Sequence, residues 1–144
     1  MSNRRLAREV LVQSLYEVQL SNVDPQLALR SNLQRRNGGD EVRQYAQRVL
    51  RELLEHRPKV DELIKGALVN WTWERIAVVD RCVLEMAVVE LMRLPDVPVS
   101  VVIDEAIVIA RKFGSSDSGS FVNGVLDRIA RQLGETSDAA QTDS

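Results

Sequence analysis

The chain has 144 residues, of which 44% are hydrophobic, and a formal net charge of −2 at pH 7. This length fits one compact domain and is too short for a second full one. Charged residues interrupt every apolar stretch well before the ~18 residues that a transmembrane helix needs. The basic start, residues 1–8, is not followed by the apolar segment of a signal peptide, and the single cysteine, Cys82, excludes an intramolecular disulfide. The composition therefore predicts a cytoplasmic globular protein with no membrane partner.

The first part of the chain shows helical periodicity and no convincing strand pattern. A first helix is predicted from about Asn3 to Leu20. Asp24-Pro25 is a capping residue followed by a proline at the first helical position, so it opens a second helix. Gly38-Gly39 breaks the chain, and Asp40 is predicted to cap a third helix. Pro58 is expected to end that helix and start another.

The central helix is predicted from Trp73 to about Arg93, with Thr72 as its cap. Between Ile76 and Met92 its sequence is apolar on almost every side. A helix of this kind is buried in the core of a protein. We therefore expect it to lie at the centre of the fold.

Two more helices complete the predicted fold, one ending at Gly114 and one running from about Ser120 to Leu133. Gly134 is expected to terminate the last helix, and residues 135–144 are expected to form a disordered acidic tail. The predicted fold class is all-α, with about seven helices in two packed bundles of three-helix type. Residues 1–134 form the single domain, divided into an N-terminal bundle at about 1–57 and a C-terminal bundle at about 58–134.

The sequence offers few residues for catalysis. His56 is the only histidine, and a helix-end cap is its simplest role, while Cys82 in an apolar helix is most simply a core residue. One histidine and one cysteine cannot form a zinc site or a Cys-His dyad within a monomer. The glycines lack the spacing of nucleotide-binding loops. The sequence therefore predicts no enzymatic activity, no catalytic residue, no metal and no cofactor.

Two segments remain as candidates for binding. Arg4, Arg5 and Arg8 place three cations at a helix N-terminus, where the helix dipole favours anions, so an incoming anion would relieve the arrangement. The loop 114–120 offers hydroxyls and free amides and leads into Phe121. Single-stranded RNA is typically held by such short polar side chains and by stacking on aromatic rings. A solvated helix end and a core phenylalanine are the simpler interpretations of the same residues.

Trp71 and Trp73 flank Thr72 near the start of the central helix. They are either stacking platforms at the surface or apolar residues that fix the chain where a helix begins. The second interpretation is favoured by the sequence.

Three ordered blocks of the sequence together resemble the NusB family of transcription antitermination factors. They lie in the first helix, in the central helix and in the last two helices, and the third block is the most specific. The blocks are Arg4–Glu9 with Gln13–Tyr16; Asn70-Trp71, Arg75-Ile76, Asp80–Leu84 and Glu90-Leu91; and Pro98–Asp127, which includes Lys112–Gly114 and Phe121–Asp127.

The resemblance implies two perpendicular bundles and a protein partner, the small-subunit ribosomal protein that doubles as NusE. The pair would bind the boxA element of nascent ribosomal RNA transcripts, in a complex with other Nus factors and RNA polymerase, and a homodimer is left open. Glu74 and Asp80 are the residues chosen for the NusE contact. The RNA contacts implied by position are Arg4, Arg5, Arg8, Ser116, Asp117, Ser118, Phe121 and Asn123.

The chain departs from the family pattern at two places. Asp104 stands where relatives usually have Asn, and Gly119-Ser120 replaces a His-Lys-type pair that some relatives have just before Phe121. The second change removes a phosphate-binding cation from the loop.

Three other functions fit the helical pattern. A NusB-like N-terminal domain of ribosomal RNA cytosine methyltransferases would need a methyltransferase portion, which the sequence lacks. A helical protein-interaction or homodimerisation module would bind no RNA. A DNA-binding helix-turn-helix factor would need a basic recognition helix, and none of the predicted helices is basic.

Overall fold

The computed structural model describes the backbone of residues 3–142 and the side chains of residues 3–134. This part of the chain is all-α, as predicted, and contains no strand. Six α-helices and one short 3-10 helix at Trp73–Arg75 account for the predicted count of about seven. The α-helices are α1 (Asn3–Ser21), α2 (Pro25–Arg36), α3 (Gly39–Ala67), α4 (Val78–Arg93), α5 (Val99–Phe113) and α6 (Ser118–Thr142).

The connection between α1 and α2 forms as the sequence predicts. The Asp24 carboxylate accepts a hydrogen bond from the Leu27 backbone N–H at 3.1 Å, and Pro25 occupies the first position of α2. Asn37 ends α2 in the left-handed conformation, which asparagine adopts at low cost. Local capping therefore determines the bounds of α2.

The break predicted at Pro58 is wrong, because α3 continues through this residue as one helix of 29 residues. A proline inside a helix removes one backbone hydrogen bond. Burial of apolar side chains on both sides, including Leu53 and Val60, outweighs this loss. Asp40 lies in the first turn of α3 and pairs with Arg43 at 2.6 Å, so its predicted capping role is also wrong.

The predicted N-terminal and C-terminal bundles each contain part of α3. Tyr45, near its start, contacts Arg8 of α1, while the Ala67 carbonyl at its end accepts a hydrogen bond from Arg128 of α6 at 2.7 Å. The boundary expected at residues 57 and 58 therefore falls inside a continuous helix.

The helix α4 lies at the centre of the fold, as predicted. It contacts α1, α3, α5 and α6, and Leu84 and Met86 are fully buried. It begins later than predicted, because the chain forms the 3-10 helix first and stays extended at Ile76 and Ala77. The side chain of Thr72 makes no capping hydrogen bond, so its predicted role is wrong.

Gly114 ends α5, as predicted, but α6 continues past Gly134 to Thr142. Gly134 does not adopt a positive φ, so it does not provide the left-handed cap that ends many helices. The segment 135–144 was expected to be a disordered tail. The structure describes helical backbone for residues 135–142, and residues 143–144 lie outside the described part.

Candidate nucleic-acid interface

Arg8 does not lie at the surface with the other two arginines of the predicted cluster. Its side chain is only 3% exposed and donates two hydrogen bonds to the Glu90 carboxylate of α4, the shorter being 2.7 Å. The Tyr45 hydroxyl of α3 donates to the same carboxylate. Burial and the negative charge of Glu90 raise the pKa of Tyr45 above its ordinary value. Arg8 is therefore part of a buried polar network that joins α1, α3 and α4.

Arg4 and Arg5 reach the surface and also contact acidic side chains. Arg5 binds Glu105 of α5 through two parallel hydrogen bonds of 2.8 and 2.9 Å, and these bonds lower the pKa of Glu105. Arg4 is 48% exposed, lies 3.5 Å from Asp96 and stacks over the Tyr45 ring at 4.7 Å. Carboxylates of the chain itself therefore balance the cations that oppose the dipole of α1.

The loop between α5 and α6 divides its predicted contact residues between surface and interior. Ser116 and Asp117 are exposed, and so is Asn123 in the first part of α6. Ser118 is buried, and its hydroxyl oxygen accepts a hydrogen bond from the Ser115 backbone N–H at 3.0 Å. The side chain of Ser118 also lies near the Asp80 carboxylate of α4, where its hydroxyl group acts to lower the pKa of Asp80. Ser118 thus fixes the loop on α4 from within.

Phe121, partly buried at the start of α6, forms an aromatic pair with Trp71. Their ring centroids are 5.7 Å apart and the rings meet edge to face. Trp71 is 55% exposed, so it presents a stacking surface to solvent, while Trp73 is partly buried with cations of Lys65 and Arg81 over its ring. The two tryptophans therefore differ in exposure, and Trp71 combines a contact to Phe121 with a face that is open to solvent.

A cavity of about 280 Å³ lies between this aromatic pair and the loop. Asp80 lines it and is only 7% exposed, and burial raises the pKa of its carboxyl group, which the hydrogen bond from Ser118 opposes. Asp80 is therefore buried under the loop, whereas Glu74 in the 3-10 helix is exposed. The full lining consists of Trp71, Arg75, Ile76, Ala77, Asp80, Ser115, Asp117 and Phe121.

The arginine side chains and the loop lie at opposite ends of α4. Glu90 holds Arg8 near the C-terminal end, and Asp80 bonds to Ser118 near the N-terminal end. Ten residues of α-helix separate these two acids by about 15 Å. The predicted RNA contacts therefore form two separate patches rather than one continuous cluster.

Arg111 was missed by the sequence analysis. It is exposed in the last turn of α5, and its guanidinium nitrogen Nε would lie only 2.7 Å from a Cβ atom added at Gly119. Glycine at this position therefore gives Arg111 room to lie against the start of α6, where Gly119-Ser120 stands in place of the His-Lys-type pair of some relatives. The only signal in the sequence is the glycine itself.

A groove of about 570 Å³ runs between α1 and α2, next to an exposed apolar patch. Tyr16 belongs to both, and the patch continues through Leu20, Val23 and Leu27, which are between 41% and 59% exposed. Contiguous apolar side chains of this kind mark protein-binding surfaces. The groove is lined by Val12, Gln13, Tyr16, Glu17, Asn32, Arg35, Arg36, Val79 and Phe113.

Cys82 and His56 lie away from both patches. Cys82 is buried in α4, as predicted, and burial raises the pKa of its thiol to about 12, so it stays protonated and unreactive. His56 lies inside α3, not at a helix end, with Nε2 3.4 Å from Glu52. Glu52, Glu55 and His56 are the group that could offer ligands to a metal ion, but Arg93 already donates to Glu52 at 3.0 Å.

In the described part of the chain, none of the helices has the length and apolar character required to cross a membrane.

Comparison with known proteins agrees with the resemblance found in the sequence. The NusB family matches residues 5–131. The transcription antitermination protein NusB of Geobacillus kaustophilus is 40% identical over 130 residues, covering 90% of this chain and 97% of that protein. The structure of T. maritima NusB is similar with a TM-score of 0.83 at 36% identity, covering 91% of this chain and 92% of that one. A crystal structure of the antitermination factors NusB and NusE in complex with dsRNA matches with a TM-score of 0.84 at 25% identity, covering 92% of this chain and 98% of the matched chain. The chain belongs to the NusB family.

Proposed function

We propose that this chain is a transcription antitermination and elongation factor that, together with NusE, binds boxA RNA of nascent ribosomal RNA transcripts. The complex includes other Nus factors and RNA polymerase. One observation carries the proposal: the fold matches, over 92% of the chain, a NusB structure solved with NusE and RNA. The role is one of binding, with no catalytic step, and its place of action is the cytoplasm.

The proposed RNA surface consists of two patches. The first is formed by Arg4 and Arg5 at the start of α1, whose guanidinium groups are partly exposed. The second is formed by the exposed loop and the first part of α6. Arg8 and Ser118 act from the interior, because each is buried and bound to an acid of α4. The residues of the second patch are Ser116, Asp117, Phe121 and Asn123.

Arg111 supports the second patch as a source of positive charge. It lies against Gly119, so its cation stands near the free N–H groups at the start of α6, where phosphate groups bind readily. It takes the place of the basic pair that relatives carry in the loop.

The proposed NusE surface combines Glu74 with the apolar patch beside the groove. Tyr16, Leu20 and Leu27 expose apolar area that a monomer would leave in water. Glu74 adds a carboxylate suited to a basic ribosomal protein.

The net charge of −2 explains why a partner is required. Affinity for RNA depends mainly on cations that neutralise phosphates, and most cations of the described surface patches are already paired with acids of the chain. NusE, a basic ribosomal protein, supplies the missing positive charge. We therefore expect weak binding of boxA RNA by the chain alone and tight binding by its complex with NusE.

Titration of labelled boxA RNA with the chain, with NusE and with both proteins tests the proposal. Leu20→Asp should abolish the enhancement by NusE, because a charge is placed in the apolar patch. Leu54→Asp is the control, since Leu54 is also an exposed leucine, 41% against 59% for Leu20, and lies on α3 instead of α1 or α2. Equal affinity with and without NusE would refute the requirement for a partner, and absence of boxA binding by the mixture would refute the proposed function.

A further inference from the structure

The cavity beside Trp71 has the form of a small-ligand site. Its volume of about 280 Å³ is just below the range of about 300–1,000 Å³ for small-molecule pockets. One side is aromatic, formed by Trp71 and Phe121. The lining also includes the acids Asp80 and Asp117 and the exposed residue Arg75. A flat, polar-edged ring fits this combination.

Asp80 is the buried polar group of this cavity. Its side chain is more than nine-tenths buried, and its Oδ1 atom has no hydrogen-bond partner among the described residues. The Ser118 hydroxyl donates to the carboxylate and is itself fixed by the Ser115 backbone N–H. The fold thus provides Asp80 with one donor and leaves one oxygen unpaired. Because Asp80 lines the cavity, a ligand bound there can donate a hydrogen bond to its carboxylate.

The donor pattern of the ligand follows from the residues. Asp80 and Asp117 are ionisable acids that accept hydrogen bonds when charged. Among the nucleobases, guanine alone has two adjacent donors, N1–H and the 2-amino group, on its Watson–Crick edge. Adenine and cytosine present a donor beside an acceptor, and uracil presents one donor between two acceptors. Proteins recognise unpaired RNA bases by stacking on aromatic rings and by hydrogen bonds to this edge.

We propose that this cavity is a guanine subsite, in which an unpaired guanine of the RNA stacks on Trp71 and donates its N1–H and 2-amino hydrogens to Asp80 and Asp117. Arg75 pairs with the phosphate of the same nucleotide. The inference rests on the proposed function and adds to it a base preference and three residues, Trp71, Arg75 and Asp80, outside the loop. Asp80 acts on RNA here, not on a protein partner.

Binding of short RNAs by the complex of the chain with NusE tests the subsite. The probes are heptamers of uridine whose central base is guanine, inosine, adenine or uracil. Inosine retains N1–H and lacks the 2-amino group. We expect the guanine probe to bind about tenfold more tightly than the other three, since a good two-point contact discriminates bases by this order. Asp80→Asn should reduce the preference to within about twofold, and Trp71→Ala should weaken the guanine probe about tenfold.

Val69→Ala is the matched control for Trp71→Ala, because Val69 lies two residues away, is equally exposed and does not line the cavity. Asp117→Asn, at an exposed position, provides a second test of the carboxylates should Asp80→Asn fail to fold. Equal affinity for the four heptamers, or an unchanged guanine preference in a folded carboxylate variant, would overturn the subsite and leave the proposed function intact. Failure of the complex to bind both these probes and boxA RNA would overturn both.

Discussion

Each end of α4 carries a buried acid, and the two acids differ in how completely their oxygens are paired. At the C-terminal end, Glu90 is saturated by Arg8 and Tyr45. At the N-terminal end, Asp80 has one donor and an open cavity beside it. Midway between them, Glu85 is buried beside Asp61 and lies 3.7 Å from the Arg57 guanidinium group, and it does not line that cavity. Pairing together with access to a cavity, and not residue type alone, therefore separates structural positions from binding positions.

The largest effect on stability is expected at the C-terminal end of α4, where Glu90 is fully paired. Arg8→Ala leaves Glu90 charged and buried without its main partner, and breaking such a pair costs about 3–5 kcal/mol of unfolding free energy. Denaturant unfolding measures this loss. Arg4→Ala is the control, because Arg4 is half exposed and exposed ion pairs contribute little. Similar stability of the two variants would contradict the structural role of Arg8.

The next effect concerns Glu85 and the pH dependence of stability. Burial and the neighbouring Asp61 raise the pKa of Glu85 from 4.5 to about 8 in the folded chain. Between these values the folded state binds more protons than the unfolded state, so stability falls as pH rises, by at most ~1.4 kcal/mol per pH unit. Thermal unfolding from pH 5.5 to 8.5 measures the slope. Glu85→Gln should flatten it, and an equally steep slope in that variant would assign the dependence to another group.

The smallest effect is expected for the exposed arginines. Arg4 and Arg5 each release counterions when they contact RNA phosphates, so the double alanine variant should reduce the log–log salt slope of boxA binding by about 1.4, at ~0.7 per contact. Binding of the NusE complex at 50 to 200 mM salt measures this. Arg43→Ala, with a similarly exposed arginine at the start of α3, is the control. An unchanged slope would remove both arginines from the RNA surface.

The sequence predicted most of the helices because apolar periodicity and capping residues depend on interactions between residues that are close in the sequence. The bounds of α1 and the Asp24 cap were predicted within a residue or two. The errors at Pro58 and Thr72 occur where packing against distant elements overrides the local signal. Helix ends are therefore less predictable than the helices themselves.

The binding residues were predicted less completely for a related reason. Arg8 and Glu90 are 82 positions apart in the sequence, and no local pattern indicates that they pair. Likewise, Ser118 differs from Ser116 only in pointing inward onto α4. Composition identified the candidate segments, and tertiary contacts determined which side chains of each segment remain at the surface.

The continuous helix α3 has a consequence for how the protein loses its structure. Its 29 residues form a rod of about 44 Å that contacts α1 near one end and α6 at the other. Unfolding of either half of the chain would remove packing contacts from α3, which both halves share. We therefore expect the two halves to unfold in one transition. Division of the chain at Pro58 would give two fragments that each hold an incomplete helix with an uncovered apolar face, and both would be prone to aggregate.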